Sequence, residues 1–272
     1  MKRWLNNLLI AVFAAVFVVS GVILLRHYIG IRENKETYDQ LAQMVEQARP
    51  KPEETAPVEE TEPSPTEETQ PPEVVEKSKE ILPEYAQLYE MNSDMVGWLS
   101  IEGTNVNYPV MQTPQEPNYY LYRDFYKNSS RGGCLYAQER CDINKPSDNI
   151  TIYGHNTRGG AIMFNALNGY TKKSFWESHR YIRFDTLTER HTYEVIAVFK
   201  ISANRDDGFA YHEFVDADSE EKFDDFVRRC KDHAFYDTGL TAVYGDKLIT
   251  LSTCEYTLSN GRLVVVAQRI EE

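Results

Sequence analysis

Basic charge is scarce in this 272-residue sequence: 29 Lys and Arg stand against 42 Asp and Glu, a formal net charge of −13. Neutralising nucleic-acid phosphates takes clustered cations, and none are present, so nucleic acid is excluded as a partner. Cysteine is sparse too, at positions 134, 141, 230 and 254 only. No two form C-x-x-C and none joins a histidine at zinc-finger spacing, so a structural metal is not expected. Glycine-rich phosphate loops are missing, and with them any sign of a cofactor. Core-forming residues are plentiful. At 42% apolar and 12% aromatic, the chain is too rich in them to be disordered as a whole.

Charge is absent altogether from the 22 residues between Arg3 and Arg26, WLNNLLIAVFAAVFVVSGVILL. As a helix this run reaches about 33 Å, enough for a hydrocarbon core of about 30 Å. A cleaved signal peptide is the rival. Its apolar region usually spans about 7–15 residues before a small-residue cleavage site, whereas here apolar residues continue past Ser20-Gly21. An uncleaved anchor over 4–25 is therefore expected, behind a cytoplasmic stub of residues 1–3. Flanking charge leaves the orientation nearly tied, with Lys2 and Arg3 on one side and Arg26, Arg32 and Lys35 on the other.

Ile31, Tyr38, Leu41, Val45 and Ala48 recur at near-helical spacing and predict a juxtamembrane helix over 26–49. Composition then changes. Residues 50–72 hold seven of the twelve prolines, and residues 46–80 hold eleven Glu against four Lys or Arg. Such a stretch cannot bury a core, so 50–80 is expected to be a disordered, extended linker. Residues 81–272 remain as the globular domain. Short runs rich in Val, Ile, Tyr and Thr dominate it: 96–101, 106–112, 133–138, 149–153, 193–201, 247–253 and 262–270. Asp218 is expected to cap a helix to about Lys231 that buries Phe223, Phe226, Val227 and Cys230. The fold class is mainly β, a sandwich or barrel with inserted helices.

Cys254 follows the strand 247–253, where a strand delivers a side chain to a sheet edge. His155 has the same setting, one glycine after the strand 149–153. A thiol and an imidazole at two strand ends form a possible nucleophile–base pair, against the plainer alternative of an inert cysteine and a surface histidine. Arg262 returns across a hairpin to the same sheet end, as an oxyanion stabiliser or as an ordinary salt-bridge partner. Cys230 reads as a small core residue, and Cys134 with Cys141 as a pair whose oxidation is open.

At these residues the chain resembles a known family. Tyr153-Gly154-His155-Asn156, Thr250-Leu251-Ser252-Thr253-Cys254, and Arg262 followed by Leu263-Val264-Val265-Val266-Ala267 resemble the sortases, class B most closely. Upstream, Val96-Gly97-Trp98-Leu99, Asn107-Tyr108-Pro109-Val110 and Tyr119-Tyr120-Leu121 extend the similarity, which covers about 85–270. The resemblance implies a closed eight-stranded β-barrel with a helix inserted within 206–238. It also implies a Gram-positive cysteine transpeptidase at the cell membrane, single-pass, with its catalytic domain outside, which breaks the tie in orientation. Position by position, Cys254 would be the nucleophile, His155 the general acid/base and Arg262 the oxyanion-stabilising group. Substrate contacts would fall at Leu121, Tyr153, Phe209, Ser252 and Glu255. The partners implied are a sorting-signal peptide of Asn-Pro-x-Thr type and an amine of peptidoglycan, with a pilin lysine as the alternative acceptor. A hydrolytic cysteine protease is the rival enzyme, and an anchored surface protein with a degenerate site the rival outside enzymology.

Other motifs lead nowhere. Ser219-Glu220-Glu221-Lys222 and Ser147-Asp148-Asn149 match β-lactamase signatures, but in reversed order and without K-T-G.

Overall fold

The computed structural model describes residues 2–50, 80–156, 162–203 and 209–270. Residues 51–79 of the expected linker lie outside that range.

The chain opens with α1, Lys2–Ala48, a single 47-residue helix. Its first half is apolar and exposed on every side, from Trp4 to Ile29, and is long and apolar enough to cross a membrane. Its second half is amphipathic. Asn34, Tyr38, Leu41 and Val45 recur at i, i+4, i+7 and i+11 and are all buried. This corrects the expected stripe: Ala48 is exposed at the helix end and Asn34 joins the buried face. Tyr38 meets Tyr108 edge to face at 5.3 Å, and its hydroxyl donates to the Gly133 carbonyl at 2.8 Å. Helix α2, Pro83–Met91, starts on a proline whose missing N–H costs nothing at that position.

Eight strands follow: β1 Met95–Ser100, β2 Asn107–Met111, β3 Leu135–Ala137, β4 Asn149–Tyr153, β5 Tyr181–Thr186, β6 Thr192–Ser202, β7 Leu248–Glu255 and β8 Gly261–Ile270. They close into a barrel in the order β1-β2-β3-β4-β7-β8-β6-β5, which leaves no open edge. The pairs β2–β3 and β4–β7 are parallel, and the other six are antiparallel. Alternation divides the side chains. Ile150, Ile152, Ile249, Leu251, Leu263 and Val265 join the main core, while Leu248, Val264 and Val266 turn outward to a second cluster.

That second cluster is roofed by α4, Glu220–Asp232, which inserts Phe223, Phe226, Val227 and Cys230 as expected. The cap, however, is Ser219, whose hydroxyl accepts from the Lys222 N–H, while the Asp218 carboxylate pairs with the Lys222 ammonium. A short helix, α3 (Lys173–Ser178), precedes β5. Strand β5 is an element the sequence pattern did not predict. All four cysteines are free thiols, so Cys134 and Cys141 do not pair in this structure.

Candidate active site

Strand register sets the site. In the parallel β4–β7 pair, Tyr153 lies opposite Ser252. Two bonds carry that register one step further: the Gly154 N–H donates to the Ser252 carbonyl at 3.2 Å, and the Thr253 hydroxyl to the Gly154 carbonyl at 2.6 Å. His155 therefore emerges beside Cys254. On the other side, antiparallel β8 places Arg262 directly opposite Cys254. Neighbouring strands lie about 4.8 Å apart, so three adjacent chains place positions 155, 254 and 262 side by side at one end of the wall. Gly154 is required for the approach. A Cβ there would fall 2.4 Å from Leu135 Cδ2 and 2.7 Å from Phe164 Cδ2.

Cys254 belongs to β7 itself, which runs to Glu255 and so extends past the expected end at Thr253. It shares the outward face with Thr250 and Ser252. Among the four thiols it alone is only partly buried. Burial pushes the Cys134 thiol up to about 12 and the Cys141 thiol up to about 11, and drives Cys230 well above its ordinary value. Those three are held as neutral thiols at physiological pH.

The His155 Nε2 lies 2.7 Å from the Leu121 carbonyl. A carbonyl only accepts, so Nε2 carries hydrogen and Nδ1 is the nitrogen left for proton exchange. The Tyr122 ring stands 5.5 Å from the imidazole and covers it. Arg262 curls over the hairpin turn, its Nη1 donating to the Asn260 side chain at 3.1 Å and to the Gly261 carbonyl at 2.9 Å.

The five expected contact residues divide. Leu121 presents its carbonyl to His155 from the short 3-10 turn Tyr119–Tyr122. Tyr153 ends β4 with its ring 5.4 Å from that of Tyr136. Ser252 shares the Cys254 face, its hydroxyl 2.7 Å from that of Tyr211. The other two lie apart. Phe209 packs between Phe199, Phe226 and His233 on the α4 side. Glu255 alternates to the opposite face, where Lys200 reaches its carboxylate at 2.9 Å and the Thr257 and Leu258 N–H groups cap it. Burial pushes that carboxyl up, but these donors outweigh it and lower the pKa to about 2.

Two tyrosines absent from the expected set join the wall. Burial raises the Tyr136 and Tyr211 hydroxyls above the usual phenol range, and both lie within electrostatic range of Cys254 and Arg262. Tyr136 follows the outward alternation of a strand and was findable on that ground. Tyr211 comes from a loop whose sequence carries no such signal.

The Sortase domain family matches residues 99–270. The chain belongs to the sortases. It is similar to sortase B of Staphylococcus aureus, 26% identical over 273 residues that span 100% of this chain and 98% of that protein. It is also similar to sortase B of Listeria monocytogenes, 30% identical over 188 residues, 68% of this chain and 74% of that one. Among solved structures, a Staphylococcus aureus sortase B–substrate complex superposes with a TM-score of 0.69 at 25% identity, covering 88% of this chain and 97% of that one. The eight-stranded barrel expected of a class B sortase is the barrel observed, and this sortase is a cysteine transpeptidase.

Proposed function

We propose that this sortase cleaves a C-terminal sorting signal of Asn-Pro-x-Thr type and passes the acyl group to a peptidoglycan amine, fixing surface proteins to the cell wall. One observation carries the reading: the register that sets Arg262 opposite Cys254, with the chain leaving β4 at Gly154 bonded to β7 just before Cys254. His155 takes the Cys254 thiol proton, and Sγ attacks the scissile carbonyl as thiolate, forming the C–S bond while the carbonyl electron pair moves to oxygen. Arg262, always charged, meets that oxyanion. The tetrahedral carbon then expels the amine, which leaves with a proton from His155, and a thioester remains. An incoming amine attacks the thioester, gives its proton to His155 and releases the thiolate. Leu121, Tyr153 and Ser252 form the peptide's contact surface, to which Phe209 and Glu255 contribute only indirectly, Phe209 from the α4 side and Glu255 by holding the turn after Cys254.

The same proposal places residues 4–25 across the membrane and the barrel outside. The exposed apolar half of α1 has no other partner among the described residues. Peptidoglycan is the acceptor proposed; a pilin lysine would use the same chemistry.

The test is a ligation assay with the full chain in micelles, an Asn-Pro-x-Thr peptide, and an added amine. Intact-mass analysis should find the acyl adduct on Cys254 alone, ligated peptide should displace hydrolysed peptide as amine is added, and Cys254→Ala should abolish both. Activity without Cys254 would refute the nucleophile. Hydrolysis unaffected by amine would favour the protease.

A further inference from the structure

Beyond Tyr153 the β4–β7 ladder has no strand left on the β4 side. The last backbone bond is Gly154 N–H to the Ser252 carbonyl, and a parallel ladder would next pair the residue-156 N–H with the Cys254 carbonyl. The side chain of that same residue makes the bond instead: Asn156 Nδ2 donates to the Cys254 carbonyl at 3.0 Å.

Asn156 is buried, with 4% of its surface exposed, and every polar group of its side chain is engaged. It forms a reciprocal amide pair with Asn168, Nδ2 to Oδ1 at 3.2 Å and Nδ2 back to its own Oδ1 at 3.1 Å. Asn165 donates to the same Oδ1 at 3.0 Å. Both partners come from the 3-10 segment Met163–Thr171, whose Phe164 N–H also holds the His155 carbonyl at 3.0 Å. The Asn156 carbonyl in turn accepts from the Tyr256 hydroxyl. Residue 156 is thus tied to residues 254 and 256, on both sides of the thiol, and to the element that holds the histidine.

We infer that Asn156 is a positioning residue that sets the spacing between His155 and Cys254 by carrying the ladder one step past the end of β4. It touches neither peptide nor reacting atoms. It acts by holding the nucleophile's own peptide unit to the chain that bears the base. The inference rests on the roles proposed above for Cys254 and His155. Asn156 is the buried member, with Asn165 half-buried and Asn168 exposed, and breaking a bond at Asn156 leaves a buried polar group unsatisfied, which holds it in place.

Asn156→Asp isolates the effect. It keeps the shape and the acceptor for Asn165 and Asn168 but removes the Nδ2 donor, and with it both the bond to Cys254 and the bond to Asn168 Oδ1; the second loss is shared with the Asn168 variant below. A misplacement of about 1 Å costs about 10²-fold in rate, so the plateau of the pH–kcat profile should fall by about that factor with KM for the peptide little changed. Asn168→Ala is the control, since it loosens the network and leaves the bond to Cys254 in place. It should lower the melting temperature as much as Asn156→Asp does while costing less than about tenfold in kcat. An unchanged plateau in Asn156→Asp, or one merely displaced along pH by the added charge, overturns the inference. So does an equal loss of kcat in Asn168→Ala, which would mark the network as a fold stabiliser only. Activity retained by Cys254→Ala would instead remove the nucleophile reading, so the two failures are distinguishable.

Discussion

The β7–β8 hairpin has two faces one backbone apart, and they are built from different chemistry. The inward face is Ile249, Leu251, Leu263, Val265 and Ala267, all fully buried. At the hairpin end, the outward face carries Ser252, Cys254 and Arg262 on the same two strands. A strand's period of two lets one segment anchor the barrel with its odd residues and present a reactive row with its even ones. The row inherits its rigidity from the core beneath it. Its own supports include the Asn156 bond and the capped turn at Glu255.

This division is open to attack from either face. Leu251→Ala should have the largest effect on stability, about 2–5 kcal/mol by urea denaturation, because it empties a fully packed site. Turnover per folded molecule should persist; a loss of turnover with normal stability would show the two faces to be coupled. Arg262→Ala should do the reverse, lowering kcat by about 10²–10³-fold with the melting curve little changed. The smallest effect belongs to the turn. Glu255 is depressed from its ordinary value to about 2, so its stabilising contribution is full above an unfolded pKa of about 4.3. That contribution is lost as pH falls through 2. Lys200→Met removes the main lowering partner and should move the acid-unfolding midpoint to higher pH, read by circular dichroism.

The reactive row was more legible in the sequence than parts of its scaffold. His155 and Cys254 stood out because a strand must end before it can offer a side chain at an edge, and both runs are rich in β-branched residues. Strand β5 was invisible for the opposite reason. Arg183 and Asp185 interrupt its apolar residues, and only the fold shows Asp185 buried beneath the Tyr85 hydroxyl at 2.6 Å. The cap of α4 fell one residue from its expected place because Asp218 and Ser219 are both good caps, and the Lys222 ammonium decides between them by claiming the carboxylate. Asn156 stood in a quoted motif, yet its work depends on Asn165 and Asn168 meeting it, which no local spacing announces. The fates of Phe209 and Glu255 likewise follow from which neighbours reach them first.

Helix α1 passes without interruption from its exposed apolar half to the face that packs on the barrel. With residues 4–25 across a bilayer, as proposed, Asn34 lies about 13 Å along the axis from the last apolar residue, Leu25. The enzyme then stands on a short rigid post, at a fixed height and tilt above the lipid. The Pro- and Glu-rich stretch sets neither. It joins the end of α1 to the start of α2, two helices that pack against each other, so the height of the barrel above the lipid follows from α1.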